Sequence, residues 1–120
     1  MISGFRDTLG FILKQYGMTN SGAIGTVWSV GEAMWLIVQA MGYRVERGIN
    51  YPTYDYIILS EKKSTLENIF LAYAKLNGGG ILIFRHYANT RLPEIMKSVG
   101  IYFTAYQYNR GILGVIGKDM

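Results

Sequence analysis

Apolar residues recur along this chain in two alternating rhythms, one helical and one strand-like. Between Ser3 and Tyr16, Phe5, Leu9, Ile12, Leu13 and Tyr16 fall at helical spacing, and Gly17 supplies a left-handed stop, so an amphipathic helix opens the sequence. The turn-rich Thr19–Ala23 leads into Ala23–Val30, AIGTVWSV, whose β-branched and aromatic residues predict a strand broken by Gly31. Ala33, Met34, Leu36, Ile37, Val38, Ala40 and Met41 then make a helix apolar on most faces, closed by Gly42. YRVERG, Tyr43–Gly48, reads as a short strand, and Pro52 fixes a loop. Tyr54–Ser60 is a nearly continuous apolar run, the signature of a strand covered on both faces. Ser64 stands three residues before Glu67, which predicts a capping box and a helix over Thr65–Leu76. Asn77–Gly80 should end that helix and turn the chain into a second buried strand, Gly80–Phe84. Pro93, Ile95, Met96 and Val99 mark a short helix with proline in its first turn and Gly100 past its end. IYFTAYQY and ILGVIG close the chain as an antiparallel hairpin around NRG, a loop longer than two residues.

The order α, β, α, β, β, α, β, α, β, β predicts a single α/β domain, residues 1–120, built on a three-layer sheet with right-handed crossovers. The sheet should be mostly parallel, with an antiparallel C-terminal strand pair. In such sheets ligands sit beyond the carboxyl ends of the strands. That rule selects Ser29–Glu32, Glu46, Ser60–Lys63 and Arg85–Tyr87. Composition adds less. A charged fraction of 17% with ten tyrosines implies apolar surface to cover, hence a homodimer or other homo-oligomer. The net charge of +4 permits a nucleic-acid partner, although the twelve Lys and Arg form no basic run. Absent cysteine excludes disulfides and thiolate metal sites, so no metal is expected. No signal-like start and no apolar run of about 18 residues are present, so the expectation is a cytoplasmic protein without membrane contact. Many Tyr and Ile with no Cys resemble the composition of some small archaeal and viral proteins.

Tyr54–Phe84, YDYIILSEKKSTLENIFLAYAKLNGGGILIF, is similar to the fourth strand, following helix and fifth strand of class I S-adenosylmethionine-dependent methyltransferases. It has the aromatic-Asp pair opening an apolar strand, an acidic residue near the strand end and a glycine-rich turn into the next strand. The terminal pair resembles the family's closing antiparallel strands. The resemblance implies a minimal Rossmann-like fold, with one strand-helix unit missing between Gly48 and Tyr54. It also implies S-adenosylmethionine as cofactor, near Ser29, Gly31, Glu46 and Glu61, with Glu46 at the acidic position for the ribose hydroxyls. The first glycine loop is degenerate: TVWSVGEAMW offers only Gly31, and no acidic residue ends the strand.

Each candidate residue has a structural reading beside the functional one. His86, the only histidine, is either a general base at a strand tip or a surface or hydrogen-bonded structural residue. Lacking a second His, a Cys and a sequence-adjacent Ser or Asp, it reads better as structural, and His86→Ala should be structurally neutral. Arg85 and Arg91 flank HYANT and could meet an anion or substrate with His86, or simply solubilise the surface. Glu61, Lys62 and Lys63 are either contacts to ligand or solvated loop. Trp28 and Met34 could fill the pocket at the strand ends. The favoured function is a methyltransferase-like module that associates without catalysis, as a homodimer or on nucleic acid. The alternative is an S-adenosylmethionine-dependent methyltransferase of unknown substrate.

Overall fold

The structure, a computed structural model, describes residues 4–17, 23–87 and 89–119. Most of the turn expected before the first strand lies outside them, as does Ser3. Helix α1 (Phe5–Gln15), strand β1 (Ala23–Val27), helix α2 (Met34–Ala40) and strands β2 (Arg44–Arg47) and β3 (Tyr54–Leu59) come first. A single 3₁₀ turn at Glu61–Lys63 leads to helix α3 (Leu66–Ala74), strand β4 (Leu76–His86), helix α4 (Leu92–Ser98) and strands β5 (Thr104–Tyr108) and β6 (Gly111–Gly117).

The strands form one sheet in the order β2-β1-β3-β4-β6-β5. The first four are mutually parallel. β6 runs antiparallel to both β4 and β5, giving the mixed, mostly parallel sheet that the pattern predicts. Helices α2 and α3 carry the β1-to-β2 and β3-to-β4 crossovers, whereas only residues 48–53 link β2 to β3.

Alternation along the central strands sorts their side chains between two cores. Ile58, Ile81 and Ile83 pack with Leu9, Ile12 and Leu13 of α1 and with Met34 and Val38 of α2. Ile57, Leu59, Leu82 and Phe84 pack with Ile69 and Ala72 of α3 and with Met96 of α4. Leu9, Ile12 and Leu13 have no solvent exposure, so each contributes about 1.5–3 kcal/mol of burial free energy, which holds α1 on the sheet.

Four boundaries differ from the sequence expectation. β1 stops at Val27, not Val30: its last pair is Val27↔Leu59, and the Ser60 amide then donates to the Val27 carbonyl as β3 itself ends. The capping box at Ser64 and Glu67 does not form. Ser64 is buried and donates to the Ser60 carbonyl at 2.7 Å, so the cap falls to Thr65, whose hydroxyl oxygen accepts the Asn68 amide at 3.2 Å. The glycines belong to β4 and are no turn before it. Between the pairs Tyr54↔Leu76 and Tyr56↔Ile81, β3 advances two residues and β4 five, so three residues of β4 loop out in a bulge. Gly79 there adopts φ 85°, and a Cβ on Gly80 would stand 2.8 Å from the Asp55 carbonyl oxygen. Finally, Tyr108 pairs with Gly111, so the closing hairpin turns on Asn109 and Arg110 alone.

Candidate functional site

The carboxyl edge of the parallel strands collects the loop after β1, the 3₁₀ turn after β3 and the end of β4. Three polar side chains organise it. Glu32 is the first: its Oε1 accepts the Ser29 amide at 3.1 Å and the Ser60 hydroxyl at 3.0 Å, and its Oε2 accepts the Lys62 amide at 3.4 Å. The Ser-x-x-Glu spacing expected to cap α3 thus works, in part, at Ser29 and Glu32, where the carboxylate reaches back to the serine amide. Ser64 is the second. Besides donating to Ser60, its oxygen accepts the Arg85 amide at 3.1 Å, which ties the end of β3 to β4.

His86 is the third. It is 3% exposed and its Nδ1 is hydrogen-bonded, so of the expected alternatives the surface position does not hold and the hydrogen-bonded one does. Its ring stacks on Phe84 at 5.7 Å and meets Phe103 edge-on at 6.2 Å. Nδ1 lies 2.8 Å from the Tyr87 carbonyl oxygen, which only accepts, so Nδ1 carries the proton. In the neutral imidazole Nε2 is then a bare lone pair, and among the described residues it has no partner although it is buried. Glu61 Oε1 is buried and unpartnered in the same way. Both residues line one cavity of about 270 Å³, together with Lys62, Ser64, Tyr87 and Thr90. The Glu61 carboxylate holds the Tyr87 phenol above its ordinary pKa, chiefly through a hydrogen bond.

The other expected site residues are placed differently. The Ser29 amide is held by Glu32. Gly31 has φ 92° and nothing within 4 Å of an added Cβ, so its glycine serves the turn and marks no close approach. Glu46 stands level with Gly25 of β1, and its carboxylate accepts the Tyr54 phenol at 2.9 Å. Arg85 is half-buried: Nε donates to the Tyr108 phenol at 2.7 Å, and the guanidinium sits 4.3 Å over the Phe5 ring. Burial raises the Tyr108 pKa, and Arg85 partly opposes that rise. Arg91 precedes α4, its side chain 86% exposed and 3.8 Å from Glu94. Of the expected set, then, Glu61 and His86 come together at one cavity, while Arg85 is structural and Glu46 is engaged by Tyr54. Met34 is buried in the core, and Trp28 packs at 5.9 Å against Trp35, itself under Arg47. Sequence reasoning gave Ser64 a helix cap in place of its tie to β4, selected Glu32 only as part of the Ser29–Glu32 strand end, and did not single out Thr90; the Ser29-x-x-Glu32 spacing was a signal left unused. Among the described residues no group of three or more His, Cys, Asp and Glu is placed to hold a metal ion. No helix there is long and apolar enough to cross a membrane.

No protein-family model and no curated protein sequence matches the chain. Among solved structures, the chain is similar to an rRNA methylase from Streptococcus thermophilus, with a TM-score of 0.52 over 96% of this chain and 94% of that one, at 16% identity. The fold is methyltransferase-like. Residues 48–53 run from β2 to β3 with no helix between.

Proposed function

We propose that this chain is a small methyltransferase that uses S-adenosylmethionine and acts on RNA. The observation that carries the reading is the cavity at the carboxyl edge of the sheet, lined by His86 and Glu61, each of which has one buried acceptor atom without a partner. A buried polar atom left without a partner costs about 1–3 kcal/mol, a cost tolerated where a ligand completes the bond. The two core clusters are read as the covered faces of a three-layer Rossmann-like sheet, which puts this cavity where ligands bind in such folds. The RNA substrate is carried over from the rRNA methylase and agrees with the net charge of +4.

The residues of this edge fit the cofactor by charge: Glu32 and Glu61 are acidic, and the cofactor is cationic at its amine and sulfonium. Of the residues that the resemblance implies, Glu61 would hold it; the Ser29 amide is taken by Glu32, Gly31 marks no close approach, and Glu46 would have to release Tyr54 to reach a ribose. When bound, the group supplies an electrophilic methyl. Glu32 keeps the β1 loop in place, Ser64 fixes the β4 backbone beside it, and His86, oriented through Nδ1 by the Tyr87 carbonyl, presents Nε2 as a proton acceptor. Isothermal titration with S-adenosylmethionine and its demethylated product tests the proposal. Binding that weakens in Glu61→Gln is expected, and no heat at millimolar ligand would end the reading.

The second reading, association without catalysis as a homodimer or on nucleic acid, draws on two observations. Glu32 closes the first loop on itself, and Phe11 and Tyr102 are 57% and 75% exposed. Light scattering that gives a clean monomer, with no salt-sensitive shift on RNA, would remove it.

A further inference from the structure

The two edges of the sheet are protected unequally. β2, at one end, reads Arg-Val-Glu-Arg, and charges of that kind guard a strand edge against pairing with another chain. β5, at the other end, reads Thr-Ala-Tyr-Gln-Tyr, and no charged residue lies anywhere between Lys97 and Arg110. Thr104, Ala105 and Gln107 are exposed. Tyr108 and Gly111 close a two-residue turn, so they share the hydrogen bonds of β5 and β6, and bonding alternates from there. Tyr106 and Thr104 therefore bond to β6 as well. Ala105 and Gln107 turn their amides and carbonyls to the open edge, where no backbone partner meets them among the described residues.

We propose that this edge pairs with β5 of a second copy of the chain, antiparallel and centred on Tyr106. The edge is its own complement. With Tyr106 opposite the partner's Tyr106, Ala105 faces the partner's Gln107 and Gln107 the partner's Ala105, so every outward amide and carbonyl finds its opposite. A centre at Ala105 or Gln107 would carry the other residue past the end of the strand. Nor is any charge set against a like charge, which matters for a chain of net charge +4 meeting itself. Nucleic acid would ask for Lys or Arg along this edge, and it has neither. A stable pair buries about 800 Å² on each partner, more than one strand provides. Phe11 of α1, 57% exposed, lines a cleft of about 400 Å³ with Tyr106 and Gln107 and adds apolar area beside the strand. β5 runs parallel to β4, so an antiparallel partner sends its own parallel strands the other way and the two carboxyl edges open in opposite directions. The inference goes beyond the methyltransferase reading and does not rest on it; to the association reading it gives a surface and a register.

Sedimentation over a concentration series, on the wild type and two double variants, tests the pairing. Ala105→Lys with Gln107→Lys sets like charges opposite each other across both bonded pairs, whereas Ala105→Lys with Gln107→Glu sets opposite charges there. The wild type should sediment as two chains. The first variant should dissociate at least about tenfold more readily, and the second should recover the pair. All three changes fall on exposed positions, so circular dichroism should match the wild type. Hydrogen exchange gives a second readout: the Ala105 and Gln107 amides should be protected in the wild type and exchange fast in the first variant, with the Tyr106 amide, bonded to β6, protected in both. A wild type that stays monomeric at millimolar concentration would overturn the inference. So would equal association of the two variants, or a wild-type dimer whose Ala105 and Gln107 amides exchange fast, since either places the contact elsewhere. A monomer that binds S-adenosylmethionine would remove this inference and leave the methyltransferase reading standing. A dimer of the expected register that binds no cofactor would do the reverse.

Discussion

Gly114→Ala tests how the fold and the site are joined. Gly114 lies opposite Phe84 in the β4–β6 register, and a Cβ placed there would fall within 2.8 Å of three atoms of the Phe84 ring. The ring has little room to yield. It is fully buried, meets Phe103 edge-on at 5.1 Å, and is backed by His86. Overpacking of this kind costs about 1–3 kcal/mol. The lower unfolded-state entropy of alanine returns about 0.4–1 kcal/mol, leaving a net loss of about 1–2. With an unfolding entropy of about 2.1 cal/mol/K per residue, each kcal/mol moves the melting point of a chain this size by about 4 °C, so the expected drop is about 4–8 °C. Thermal melts of Gly114→Ala, Phe84→Leu and the double variant measure it. In the double variant the smaller side chain vacates the space that the new methyl needs, so its loss should fall short of the sum by at least about 0.5 kcal/mol. The His86 imidazole signals should move in Gly114→Ala and not in a distant variant of equal stability. An unchanged melting point, or strict additivity in the double variant, would refute the reasoning.

Other positions test the remaining contacts. Thr65→Ala should destabilise the protein by about 1 kcal/mol in urea denaturation and Glu67→Ala by much less, the reverse of what a capping box would give. Ser64→Ala removes the acceptor of the half-buried Arg85 amide and should cost about 0.5–1.5 kcal/mol; no measurable loss would show that water replaces the hydroxyl. Glu32→Ala should speed hydrogen exchange at the Ser29 and Lys62 amides with little change at those of β4, and equal protection in both forms would refute the clasp. Burial raises the folded-state pKa values of Tyr54, Tyr56 and Tyr108 above 10.0. Below that value both states are protonated and the contribution is complete; above it the unfolded chain loses protons first, so stability should fall as pH rises past about 10. Urea midpoints from pH 8 to 11 should show this, with a shallower fall in Tyr54→Phe, and a flat profile would refute it.

What the sequence made legible followed from burial. The stripe Leu9, Ile12, Leu13 and the runs Tyr54–Leu59 and Ile81–Phe84 are apolar because they are covered, and the same residues form the cores. What it concealed depended on neighbours distant in sequence. Trp28–Val30 has strand-forming side chains, yet β3 offers no backbone to pair with beyond Leu59. Asn77–Gly79 looks like a helix end followed by a turn. It is a bulge whose Gly79 amide donates to the Lys118 carbonyl, a partner that no local pattern announces. The site divided in the same way. The rule that ligands gather at strand ends selected Glu61 and His86, and these line one cavity. Arg85 looked equally eligible there, but its guanidinium is taken up by Phe5 and Tyr108, far apart in sequence.

The packing of α1 also sets a clock. Its aromatic partners are Tyr106 and Tyr108 of β5: Phe5 meets Tyr108 at 5.6 Å, Phe11 meets Tyr106 at 6.2 Å, and the Tyr16 and Tyr106 phenols touch across 90 residues. At a synthesis rate of about 5–20 residues per second, α1 waits about 5–18 s for the strand it packs against. Throughout that interval the stripe Leu9, Ile12, Leu13 has no finished sheet to cover it, so α1 is exposed to chaperones and to aggregation while the sheet is being made.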